Sequence, residues 1–381
     1  MAGKKIKVAY ISHFPHMRMG GQRSMYFLIS ELNREHFQPF AVTPGPGELT
    51  DSLKAVGCPV YHTPLSSIKL KYINKLSGVY SGLREIFKEQ RPDIIHPDYP
   101  ADMFFSSMAK KGLESKLIWH VRWNARSSRD KLYEKLADGI IGVSDAAGRR
   151  FFDDPSKSSK YRTIYNGVDT RKFSPTRDKQ ALRNELGLPL NSVIIMFAGV
   201  LKEGKGVFDL LKAAAILRDK EVMAKKPLFI FIGSRHGEET HRNIEELKAK
   251  AGDDIISIYP QQTNIQEWMK ASDILAIPSH EGNEGMPRVM YEAMACGIPV
   301  IGTNTGGINE GLSPENGLLV RQEAPQELAE ALTKLILDDD LREKMGIAGR
   351  DRALDLFDIK KHARRVEDFY FYILDKKAGE K

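Results

Sequence analysis

Two glutamates, Glu284 and Glu292, stand in the stretch Pro278–Glu310, PSHEGNEGMPRVMYEAMACGIPVIGTNTGGINE, separated by seven residues. The spacing straddles a helix start. Pro287 suits the first turn, Gly297 suits the C-terminal stop, and Pro299 cannot continue the helix. A helix N-terminus carries unpaired N–H groups and a partial positive charge, which favour an anion. Local physics leaves a second reading open, with Glu284 a helix-start acid and Glu292 a solvated i,i+4 partner of Arg288.

A cation stands in a second segment, Phe197–Gly206, FAGVLKEGKG. Gly199, Gly204 and Lys205 begin a Walker A phosphate loop. Gly206 then stands where that loop needs Ser or Thr for Mg²⁺, and no acidic Walker B partner is evident, so an NTPase is disfavoured. Lys205 is left as a phosphate-facing cation or a solvated loop lysine. Near the N-terminus, the adjacent glycines Gly20 and Gly21 precede a helical pattern and permit close approach of a ligand to the backbone, without the G-x-G-x-x-G fingerprint. His120 follows the apolar run Lys116–Trp119; a lone His beside a Trp is more often packing than chemistry. His96, after Ile94 and Ile95, is a weaker candidate of the same kind.

These residues need elements to position them. Short apolar runs (Ile6–Ile11, Pro39–Val42, Ile94–His96, Lys116–Val121, Gly139–Val143, Arg162–Tyr165) alternate with amphipathic segments such as Gln22–Leu32. A polar stretch, Asn166–Leu190, precedes a second set: Val193–Gly199, Leu228–Ile232, Ile255–Tyr259, Ile274–Ile277, Pro299–Ile301 and Gly317–Val320. Helical patterns Val207–Leu217, Ile244–Lys250 and Pro325–Leu337 lie between them. Strands apolar throughout, alternating with helices, indicate parallel sheets covered on both faces. The expected class is α/β with two Rossmann-like domains whose strand ends face a cleft.

The 381 residues, 41% hydrophobic and 28% charged, exclude a disordered chain, a coiled coil and a fibre. The longest apolar run, Val193–Leu201, falls short of the ~18–20 residues of a membrane span. The start of the chain reads as a buried strand rather than a signal peptide, and Cys58 and Cys296 form no disulfide framework. A cytoplasmic protein is expected. Net charge of +7 suits an anionic small substrate or acidic membrane surface better than nucleic acid, since the basic residues are dispersed.

Glu284, seven residues, Glu292, then Ala293–Val300, Gly306, Gly307 and Glu310 resemble the retaining nucleotide-sugar glycosyltransferases of the GT-B fold (glycosyltransferase family 4-like, group 1). The resemblance extends to Asn166–Asp169 with Phe173 and Pro175, and to Asn316–Val320. It implies a hexosyl transfer from a UDP- or GDP-sugar to a saccharide, lipid-linked or phosphorylated acceptor, without a metal or cofactor. Glu284 would meet the donor sugar, Glu292 the ribose, and Lys205 the diphosphate. Amides at Gly285, Met286, Arg288 and Val289 would serve sugar and phosphates, and Pro287 has none to give. The Gly20–Gly21 loop would approach donor and acceptor, His120 the transferred sugar, and His96, more weakly, would line the acceptor side. Val200 stands where the family has an Arg, with Lys202 or Arg235 as substitutes. The implied domains are 1–175 on the acceptor side, 176–355 for the nucleotide sugar, and a helix in 356–381 packing back toward the first domain. A nucleotide-sugar epimerase and a noncatalytic nucleotide-sugar-binding protein are the rivals.

Residues Ser66–Arg91 add a basic stripe (Lys69, Lys71, Lys75, Arg84, Lys88, Arg91) with interleaved apolar residues, and Arg122, Arg126 and Arg129 follow His120. Such a face suits peripheral contact with an anionic membrane. Packing of Tyr72, Leu76, Val79, Leu83 and Ile86 on a sheet is the competing explanation. Asp338–Asp340, at the end of a helical pattern, reads as solvated rather than metal-binding.

Overall fold

The computed structural model describes residues 4–376 apart from 18, 68–72, 219 and 235–236. The chain forms two compact units, Met1–Gly167 with Ile359–Lys381, and Val168–Asp358. Among the described residues no helix is long and apolar enough to cross a membrane.

The first unit holds strands β1 (Ile6–Ile11), β2 (Phe37–Thr43), β3 (Val60–His62), β4 (Ile94–Pro97), β5 (Lys116–Val121), β6 (Gly139–Gly142) and β7 (Tyr161–Thr163). They form one parallel sheet in the order β3-β2-β1-β4-β5-β6-β7. β1 shows why its sequence is apolar throughout. Ala9 and Ile11 enter a core with Val79, Leu83 and Phe105, while Val8 and Tyr10 enter another with Met25, Leu28, Phe369 and Tyr370. Alternate side chains of a strand point to opposite faces, and both faces here are covered.

The second unit holds β8 (Ile194–Ala198), β9 (Leu228–Ile232), β10 (Ile256–Tyr259), β11 (Ile274–Ile277), β12 (Val300–Thr303) and β13 (Gly317–Val320). Their order is β10-β9-β8-β11-β12-β13, again parallel. Each sheet reverses its strand order once, between β1 and β4 and between β8 and β11. Ligands of open α/β sheets bind beyond the carboxyl ends of the strands at such reversals.

The helix Ile359–Asp375 belongs to the first unit, where Val366, Phe369, Tyr370 and Ile373 are buried. Gly139 admits it, because a Cβ there would lie 3.0 Å from Phe369 and Ile373. The two chain crossings between units run side by side. Val168 N–H donates to Phe357 O at 2.7 Å, and Val168 and Asp358 form an isolated parallel bridge.

Local differences from the sequence reading have identifiable causes. The three-residue β3 is too short to show a period. The helix expected from Ile244 starts at Glu238, because its first turns are polar and solvated. Asp338 caps a new helix, Asp339–Leu356, accepting from Leu341 N–H at 2.8 Å, so the acidic run opens a helix rather than only ending one. Residues 69 and 71 of the basic stripe lie outside the described residues.

Candidate functional site

Lys205 and Glu284 flank the strand reversal of the second unit, on the loops that leave β8 and β11. Their side chains form a salt bridge, and both are about one-fifth exposed (20% and 18%). The glycines around Lys205 explain how the loops interlock. Gly206 has φ +70°, and a Cβ there would lie 1.8 Å from Pro278 O; one at Gly204 would meet the Asn283 side chain at 2.4 Å. His280 N–H donates to Gly204 O at 3.0 Å, and Lys205 Nζ donates to Asn283 O at 3.3 Å. Only backbone without side chains can approach so closely, and this approach carries the ammonium to the carboxylate.

The Glu284 loop is fastened from below. Thr303 Oγ1 donates to Ser279 O, as does Thr305 Oγ1 at 3.2 Å, and Ser279 Oγ lies 3.5 Å from Glu284 Oε1. A cavity of about 470 Å³ opens nearby, lined by Glu203, Asp209, Lys212 and His280 but by neither member of the pair. His280 Nε2 meets Asp209 Oδ2 at 2.7 Å, a contact that the sequence reading missed.

Pro287 caps the helix Arg288–Ala295 in extended conformation, and the first-turn amides of any helix lack acceptors within it. Gly285 and Met286 are buried, and the Gly285 carbonyl lies where a Cβ on Gly307 would be, 2.1 Å away. Met290, Ala293 and Met294 are buried as the helical period requires, whereas Val289 is half-exposed. Arg288 Nη2 bonds Glu292 Oε1 at 2.9 Å, with side chains only 12% and 8% exposed. Glu292 is thus an i,i+4 partner, but a buried one. Val200 is exposed, Lys202 half-buried, and Arg235 lies outside the described residues.

In the first unit, Gly20 and Gly21 open the helix Gly20–Glu31. A Cβ on Gly21 would lie 3.2 Å from Arg122 Cδ and 3.5 Å from Asp98 Oδ2. Arg122 turns inward, bonding Asp98 Oδ2 (3.2 Å) and Asn166 Oδ1 (3.0 Å), with its side chain only 9% exposed. That contact removes it from a membrane-facing stripe. Burial raises the Asp98 carboxyl against the opposing pull of Arg122.

His120 lies within β5 rather than after it, and is fully buried. Its Nδ1 meets His96 Nε2 at 3.1 Å, His96 Nδ1 meets Tyr370 OH at 2.5 Å, and Tyr370 OH meets Tyr10 OH at 2.9 Å. Burial, and secondarily the charge of Arg122, hold both imidazoles well below the usual histidine range. His96, expected to line the acceptor side, is equally enclosed. Nearer the surface, His13 follows β1 and its Nδ1 meets Asp102 Oδ1 at 2.9 Å. Nothing in the sequence reading singled out His13. Among the described residues no group of three or more His, Cys, Asp or Glu could hold a metal ion.

Comparison with known proteins agrees with these two units. The family described as "Glycosyltransferase Family 4" matches residues 19–172, and "Glycosyl transferases group 1" matches residues 178–352. The chain belongs to the GT-B glycosyltransferases of the family 4-like, group 1 type. It is 37% identical over 193 residues to a D-inositol 3-phosphate glycosyltransferase of Corynebacterium jeikeium, an alignment covering 49% of this chain and 45% of that protein. The chain spans about half the length of the first curated relatives it matches. Among solved structures, a glycosyltransferase from Rickettsia africae superposes with TM-score 0.84 at 20% identity, covering 98% and 100% of the two chains. Anabaena HepE, in complex with UDP, superposes with TM-score 0.80 at 20% identity, covering 96% and 99%. At that identity the likeness speaks for the fold.

Proposed function

We propose that the chain transfers a hexosyl group, with retention, from a nucleoside diphosphate sugar to a saccharide, lipid-linked or phosphorylated acceptor. The observation that carries this reading is the Lys205–Glu284 pair, set by interlocked glycine loops at the strand reversal of the second unit. As the glycosidic bond breaks, negative charge builds on the leaving diphosphate. Lys205 and the first-turn amides of helix Arg288–Ala295 are the groups able to stabilise that charge, with Glu284 on the sugar. Glu292, held by Arg288, is assigned to the ribose. Gly20 and Gly21 are assigned to the donor's approach to the first unit, and Lys202 to the cation absent at Val200.

His120 is retained near the transferred sugar only as a neutral, buried group whose movement would have to expose it. Membrane attachment through residues 66–91, and a site of action at the cytoplasmic face, are further proposals. Vesicle sedimentation tests them, with salt-sensitive binding to anionic vesicles alone as the supporting result.

The acceptors to screen are methyl hexosides, a lipid-linked saccharide and inositol phosphate, the last because of the Corynebacterium relative's name. UDP-glucose, UDP-galactose and GDP-mannose are incubated with each. Release of nucleoside diphosphate, with the new linkage keeping the donor's anomeric configuration by NMR, supports the reading. An epimerase would interconvert donors without an acceptor, and a binding protein would release nothing; either result overturns it.

A further inference from the structure

The first unit repeats the arrangement that marks the second. At its strand reversal, the loop leaving β1 and the segment leaving β4 are joined by one ionisable pair, His13 and Asp102. The imidazole is oriented from several sides. Nδ1 is bonded to Asp102 Oδ1 at 2.9 Å, the ring stacks on Tyr99 at 4.2 Å and 22°, and Phe14 packs edge-on at 5.0 Å. The loop beneath it is pinned as well, for Ser12 Oγ donates to Phe14 O (3.0 Å) and Leu49 N–H to Pro15 O (2.9 Å). Asp102 is 1% exposed, and its Oδ2 has no hydrogen-bond partner among the described residues. A carboxylate so buried is costly unless its one bond does something the fold requires.

An ionised Asp102 only accepts, so His13 Nδ1 must donate to it, and in the neutral imidazole Nε2 is then the acceptor. We propose that His13 Nε2 accepts the hydrogen bond of the acceptor's reacting hydroxyl, a saccharide or polyol alcohol, and that Asp102 is the residue positioning it. His13 aims that oxygen at the anomeric carbon, the new glycosidic bond forms as the bond to the diphosphate breaks, and the hydroxyl proton leaves on the diphosphate oxygen. Half-buried Phe14, Tyr99 and Trp123 supply an aromatic wall of the kind that binds a ring with polar edges. The role rests on the glycosyl-transfer reading and extends it to the acceptor side, which none of the donor-facing residues of the second unit serves.

Burial pushes the Asp102 carboxyl up to about 6, with His13 opposing and Asp98 adding to the rise. Asp98 and Tyr99 act on the pair directly, Arg122 bonds Asp98, and His16 stacks on Phe14. Below that pH Asp102 is neutral and no longer fixes the tautomer of His13, so the rate should fall on the acid side.

The test uses the full chain. Nucleotide release from UDP-glucose and GDP-mannose is followed with water or methyl hexosides as acceptor, and donor affinity is measured by calorimetry. His13→Ala should lower turnover at least ~100-fold, the scale of a misplaced reacting group, while the donor Kd stays within twofold. Asp102→Asn should also lower turnover and should remove the acid limb near pH 6. If His13→Ala does not fold, His13→Asn keeps a donor for Asp102 while lacking the distal ring nitrogen, and carries the same expectation. Loss of donor affinity in step with thermal stability would mean a structural role and overturn the proposal. Near-native turnover in the His13 variants overturns it alone, leaving glycosyl transfer standing. A wild-type chain that releases nucleotide from neither donor overturns both.

Discussion

Lys205 and Glu284, 79 positions apart in the chain, share one salt bridge, so each is the other's partner before any donor arrives. Replacing either leaves a partly buried charge unmatched as well as removing a contact with the donor. Lys205→Ala and Glu284→Gln should each lower turnover at least ~100-fold, the scale of one transition-state electrostatic contact. The double variant should fall short of the product of the two effects, since contacting residues are not additive. Steady-state kinetics on the three proteins check this, and near-native rates in both single variants would remove the pair from the site.

Arg288 and Glu292 predict a different signature. A ribose contact holds substrate without sensing bond cleavage, so Glu292→Gln should weaken donor binding about tenfold with turnover at saturation little changed. Arg288→Ala should move the donor Kd in the same direction, because it frees a buried carboxylate from its guanidinium at 2.9 Å. Calorimetry with UDP and GDP separates this from the Glu284 variant, whose loss should lie in turnover.

The buried pair His96 and His120 sets a pH dependence of stability. Both have pKa values depressed in the folded state, so below about 6.5 the unfolded chain binds more protons than the folded one. Their contribution is full above that pH and is lost as pH falls toward the lowered folded values. Asp102 acts in the opposite sense. Its folded carboxyl is raised from 3.8 to about 6, so its contribution is present below 3.8 and lost as pH rises through about 6. The urea midpoint of the wild type should drop from pH 7.5 to pH 5.5, and His120→Leu should flatten that drop. An equal drop in His120→Leu would show that other groups dominate.

Gly206→Ala tests the interlocked loops. The residue has φ +70°, and its added Cβ would lie 1.8 Å from the Pro278 carbonyl, so backbone must move. A loss of about 2 kcal/mol or more is expected, in the range of a strained backbone position. Activity should fall further than stability explains, because the shift carries Lys205 with it. Denaturant unfolding beside kinetics reads both.

Turnover should persist in excess EDTA, because Lys205 and the helix-end amides are assigned the diphosphate's charge. Complete loss restored by Mg²⁺ or Mn²⁺ would show that a metal supplies it.

Much of the fold was legible from β-branched runs at regular intervals, since a strand covered on both faces must be apolar at every position, as β1 is. Helix Pro325–Leu337 matches its pattern end to end because proline starts it and its buried stripe repeats. Lys205 and Glu284 could each be singled out, by flanking glycines and by spacing. Their pairing could not, because it depends on which loops neighbouring strands bring together. The same reason hid His13–Asp102, 89 positions apart. Charge composition misplaced Arg122, whose inward turn depends on Asp98 after another strand.

The crossing of the chain back into the first unit at residue 359 bears on the order in which the protein is made. A nascent chain emerges N-terminus first, and domains commonly fold in that order. Here every strand of the first sheet has been synthesised by Thr163, yet one face of β1 still waits for Phe369 and Tyr370, among the last described residues to leave the ribosome. The second unit is a single uninterrupted segment and can finish within that interval. Translation therefore leaves that face covered only by Met25, Leu28 and their neighbours until the later half is complete, and the part left open is where a chaperone would be needed.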